Sequence, residues 1–137
     1  MAAALALWRG QFPDRQRVEL RALDSTYNCV GLVFANRRTA IDASQVEMIL
    51  REDEYARRTS VDHGREGDVA IYRATDTAAI SHVGLVARAE VSLAGEPTRF
   101  RILSQWGFDG EYLHDADAVP SVYGRLAEIW TYRYGAP

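Results

Sequence analysis

One cysteine and three histidines, Cys29, His63, His82 and His114, carry the nucleophilic and general-base chemistry open to this chain. A thiolate attacks acyl carbon when a base, usually histidine, takes its proton and a third polar group orients that base. Cys29 follows Ser25, Thr26 and Asn28, all capping types, so it is predicted at or near the first turn of a helix. There the helix dipole and unpaired amides favour negative charge, lower a thiol's pKa and could hold a developing oxyanion. The alternative is a small apolar residue of the core, where free cysteine is common. His82 opens the apolar run His82-Val83-Gly84-Leu85-Val86, at a strand mouth, and by position is the best base of the three. His63 reads as a solvated loop residue, and His114, among acids, as a turn or capping residue. The histidines form no helical i, i+4 pair, so neither a metal nor another cofactor is expected.

Two helices should position the cysteine. Tyr27–Asn36 sets Val30, Val33 and Phe34 on one helical face, and Asp42 with Gln45 starts a second, amphipathic helix of about ten residues. Arg57 and Arg58, beyond it, read as a solvated face. After Gly64 the period changes from helical to alternating. Val69–Tyr72, Ile80–Val91, Phe100–Trp106 and Leu126–Tyr134 read as strands, the middle two forming a hairpin about Gly95. Met1–Trp8 reads as a strand or an arm, and the residues from Gly107 through Asp117 as a loop. Helices first and strands afterwards predict an α+β domain rather than a parallel α/β sheet.

With 137 residues, the chain is one domain, 1–137. Its formal net charge of −3 argues against a nucleic-acid partner, because nothing would offset the phosphates. One cysteine excludes an internal disulfide framework and a multi-cysteine zinc site. No apolar run approaches the roughly 20 residues of a membrane helix, and no basic stretch precedes the apolar start as in a secretory signal. A soluble, cytoplasmic protein without a membrane partner is therefore expected, with export as an effector left open and no oligomeric state implied.

Asn28-Cys29-Val30-Gly31-Leu32-Val33 resembles the nucleophile motif of the NlpC-like cysteine peptidases and amidases, which have the papain-like fold. Gly67-Asp68-Val69-Ala70-Ile71-Tyr72 resembles that family's Gly-Asp strand, and His82-Val83-Gly84-Leu85-Val86 its His-Val-Gly strand, in the family's order. The resemblance implies a divergent, non-permuted member: N-terminal helices packed on an antiparallel sheet, with the core over about residues 26–134. Asn28 stands where the family has aspartate, and Arg17–Ala22 lacks the tyrosine and glycines of the wall-cleaving members. A muropeptide substrate is therefore not implied.

The implied activity is thiol-dependent hydrolysis of a peptide or amide bond, a protein substrate included, through an acyl-thioester. Cys29 would be the nucleophile and His82 the base, and a third polar residue should lie across the hairpin from His82. Gln105, whose amide oxygen could accept from imidazole, is the first choice; Ser104 is the alternative and points to the other face of its strand. Asn28, Ser104 and Trp106 are candidate substrate-binding residues beside the site. Two other readings stand beside hydrolysis: a catalytically inactive binding module of the same fold, and an acyltransferase sharing the thioester step.

Overall fold

The computed structural model describes residues 18–22, 27–35, 40–90, 98–106 and 110–132. Among them, two short α-helices lie against a seven-stranded antiparallel sheet, so the chain is α+β with more sheet than helix. The strands are β1 (Val18–Ala22), β2 (Tyr55–Arg57), β3 (Val69–Arg73), β4 (Ile80–Glu90), β5 (Arg99–Gln105), β6 (Glu111–Asp115) and β7 (Arg125–Tyr132). Their spatial order is β1-β6-β5-β4-β3-β7-β2. The predicted hairpin is present, with Leu85 opposite Leu103 and Val86 opposite Ile102. Helices do not simply precede strands, however: β1 comes before both helices, and β6 replaces the expected loop.

Helix α1 (Cys29–Phe34) starts where the capping residues indicate. Asn28 Oδ1 accepts from Gly31 N at 2.9 Å, satisfying an amide that the helix leaves free. The same oxygen accepts from Ile41 N at 3.0 Å, and Asn28 Nδ2 donates to Ile41 O at 2.7 Å. One side chain thus caps α1 and ties it to the approach to the next helix. There Asp42 Oδ1 accepts from Ser44 N, which opens a 3-10 turn (Ala43–Gln45) running directly into α2 (Val46–Glu52).

The two faces of the sheet bury different residues because strand side chains alternate. On the helix face, Val30, Val46 and Leu50 pack on Val69, Ile71 and Val83. On the opposite face Ala70, Tyr72, Val86, Phe100, Ile102 and Ile129 form a second cluster, covered by Val119 and its neighbours. Each such aliphatic side chain, taken fully out of water, contributes about 1.5–3 kcal/mol. Close strand contact matters as well: a Cβ on Gly84 would lie 2.5 Å from Ile102 Cγ2 and 3.1 Å from Leu103 O. A larger residue there would force β4 and β5 apart.

Two turns fix the ends of β3. Buried Asp68 accepts from Arg58 Nε at 3.0 Å and from Arg65 N at 2.9 Å, so Arg58 is tied down rather than part of a solvated face. At the other end, Gly124 has φ 74 and approaches Arg73 so closely that a Cβ would meet its carbonyl oxygen at 2.0 Å. That contact seats the 3-10 turn Ser121–Tyr123 on the sheet face away from the helices. The expected Met1–Trp8 element lies outside the described residues.

Candidate functional site

Cys29 sits at the first position of α1 and packs against the helix-face cluster. Burial raises its thiol pKa, and backbone groups at Val83, Val30 and Cys29 itself only partly oppose that rise. The feature that would make the thiol a ready nucleophile is therefore outweighed by desolvation.

His82 lies on the other face of β4. It pairs across the ladder with Tyr72, whereas Val83, behind which Cys29 packs, pairs with Ile71. Tyr72 belongs to the cluster away from the helices and Ile71 to the helix-face cluster. The imidazole is 1 % exposed, stacks on Tyr123 with centroids 4.1 Å and planes 2° apart, and meets the edge of Tyr72 at 5.4 Å. Neither ring nitrogen has a hydrogen-bond partner among the described residues. Burial, then the nearby charge of His114, holds its pKa well below the ordinary histidine value. Cys29 is not among the groups that shift it, nor His82 among those that shift Cys29. The expected Cys29–His82 pair is not assembled, because one residue of strand alternation separates their faces.

The candidate third residues divide in the same way. Gln105 is buried and pairs with Glu111 on the helix side of β5, so it cannot orient His82. Ser104 shares the face of His82 but serves another histidine: its Oγ lies 2.6 Å from His114 Nε2. Trp106 Nε1 donates to the same oxygen at 3.1 Å, and His114 Nδ1 donates to Asp115 O at 2.7 Å. The consistent chain runs from indole to hydroxyl to imidazole to carbonyl, with every proton placed. Burial takes the His114 pKa down to about 4. Trp106, expected to wall a cleft, is fully buried and stacked on Tyr112 at 4.2 Å. Asn28, expected to touch substrate, is occupied in capping. His63 is exposed, as its loop setting implied, with Nδ1 3.1 Å from Thr59 Oγ1.

A groove lies elsewhere, between the end of α2 and the β2–β7–β3 edge of the sheet. It holds about 430 Å³, with Leu50, Tyr55, Ile80 and Trp130 as its apolar lining. Arg73 reaches into it, joined to Glu128 at 2.8 Å and Glu47 at 3.6 Å. Burial alone would raise the pKa of Glu128, but hydrogen bonds from Trp130 and Arg73 outweigh it and hold the carboxyl down. Arg51, Arg57 and Glu54 also line the groove, and none has an ion-pair partner among the described residues. The sequence does not mark these residues as a group, and Arg57 reads there as part of a solvated face, because they join only when α2, β2 and β7 meet. The alternation of Trp130, Tyr132 and Tyr134, as along one strand face, is the one sign legible in the sequence.

Among the described residues, no three of His, Cys, Asp and Glu come together as metal ligands would. No helix among them is long and apolar enough to cross a membrane. Comparison with protein-family models, curated proteins and solved structures finds no match.

Proposed function

We propose that this chain is a divergent NlpC-like, papain-like domain that binds an extended peptide segment and does not hydrolyse it. The observation that carries this reading is the placement of Cys29 and His82 on opposite faces of β4. A general base must come within hydrogen-bond reach of the proton it removes, and a sheet lies between these two. An acyltransferase reading meets the same obstacle, since it needs the same activated thiolate. What supports the family assignment is the order of elements: a cysteine-bearing helix, a Gly-Asp strand, then a His-Val-Gly strand in an antiparallel sheet.

Peptide binding is assigned to the groove beside β2. Among the described residues β2 is one of the two edge strands, β1 being the other, and its outer edge can pair with an added strand. Tyr55 and Trp130 offer aromatic walls for alternate side chains. Arg51, Arg57 and Glu54 leave charges of both signs for a peptide's own polar groups. The test is fluorescence polarisation with a panel of labelled decapeptides of mixed charge, run with product analysis on the same samples. Saturable binding that Trp130→Ala weakens and Cys29→Ala leaves alone, without cleavage, is the expected result. Cysteine-dependent cleavage of any member would overturn the reading.

A further inference from the structure

We propose that the Ser121–Tyr123 turn is an acid-released cover over His82, closed while the imidazole is neutral and lifted when it takes a proton. This device is on the sheet face away from the groove, and it does not depend on the peptide-binding reading.

A neutral imidazole can remain between Tyr123 and Tyr72 at the cost of two unmade hydrogen bonds. An imidazolium there would need acceptors, and among the described residues neither ring nitrogen has one within hydrogen-bond reach. From β3, the Tyr72 hydroxyl is committed to Ala116 O at 2.6 Å. From β6, His114 has both nitrogens engaged and becomes a like charge when protonated. From β5, Ser104 already bridges His114 and Trp106. The nearby charged residues Asp115, Asp117 and Arg101 act on His114, and Asp117 on Tyr72 as well; none of them figures at His82. Protonation must therefore admit water.

The turn is the side that can yield. Tyr72 is fully buried in an interior strand hydrogen-bonded on both sides. Tyr123, by contrast, belongs to a three-residue 3-10 turn whose Val122 is 72 % exposed. Within the turn Tyr123 N donates to Pro120 O and Gly124 N to Ser121 O, and from β4 the hydroxyl of Ser81 donates to Tyr123 O. Ser81 Oγ also lies 3.3 Å from Tyr72 O. When the turn lifts, that hydroxyl has a second carbonyl to donate to, so no donor is stranded.

Proton linkage sets the size of the effect. If the exposed imidazole titrates near 6.5 and the covered one far lower, the opening constant rises roughly 25-fold between pH 7 and pH 5. The experiment is amide hydrogen exchange on the full chain across pH 7 to 5, corrected for intrinsic exchange rates, with the His82 ring resonance followed by NMR. The Tyr123 and Gly124 amides should lose protection by about that factor while Ala70 and Ile71 amides on β3 stay protected. His82→Phe, which keeps an aromatic stack without a titrating group, should abolish the loss. Equal protection at both pH values, or the same loss in His82→Phe, would overturn the proposal. Should that variant not fold, the wild-type titration decides: midpoints for the His82 ring and the turn amides that differ contradict a common cause.

Discussion

Ser104 Oγ lies 2.6 Å from His114 Nε2 at full burial, with the Trp106 indole donating to the same oxygen. The pair has the chemistry of a nucleophile and its base but no route to solvent, so its part is structural. Ser104→Ala would leave the indole N–H without its acceptor and the imidazole without its donor. A loss of about 1–3 kcal/mol is expected in urea unfolding. Ser104→Thr, which keeps the hydroxyl, should recover part of it.

Acid should weaken the fold through the same histidine. Its folded pKa of about 4 lies below the unfolded value near 6.5, so in this window the unfolded chain binds the proton more readily. Stability is therefore full above pH 7 and falls as pH drops through 6.5 towards 4. The cost on going from pH 7 to pH 5 is about 2 kcal/mol for this residue alone. Denaturant midpoints measured at pH 7, 6 and 5 should fall in that order, and His114→Asn should make the fall shallower, leaving the part due to buried His82.

Asn28 stands where the resembling family has aspartate, and the difference has a physical use. Asn28→Asp keeps the oxygen that caps α1 but loses the Nδ2 donation to Ile41 O. Asn28→Ala loses both. Thermal melts should rank wild type above Asn28→Asp and Asn28→Asp above Asn28→Ala, the last costing about 2 kcal/mol.

Gly124→Ala should be the most damaging single methyl in the turn region. Its φ of 74 is a left-handed backbone value, and the added carbon would meet Arg73 O at 2.0 Å. A loss of about 3 kcal/mol or more is expected, read as a depressed melting temperature or poor recovery of folded protein.

Much of the sheet was legible because alternation is local. Val69–Tyr72 is an apolar run set off by the turn residues before it, Ile80 begins a longer β-type run, and the two-residue side-chain period set Ser104 and Gln105 on opposite faces of β5. The start of α1 was legible from the capping types around Asn28. β6 was hidden by Gly107, Gly110 and the surrounding acids, which read as a loop until β1 and β5 are placed on either side. β2, at three residues, is too short for a period to show. The candidate site failed for a further reason. Which face of β4 receives α1 depends on Val30 finding Ile71 and Val83 rather than Tyr72, and that choice is made only in the packed core.

The state of the Cys29 thiol is the most direct test of whether this is a non-hydrolysing domain. Its rate of alkylation by iodoacetamide, measured from pH 6 to pH 10 in wild type and His82→Phe, reports the thiolate and any help from His82. Burial and the raised pKa predict slow labelling at pH 6, a rise only at alkaline pH, and the same profile in both proteins. Rapid labelling at pH 6 that disappears in His82→Phe would contradict the separation of the two residues and restore the hydrolase.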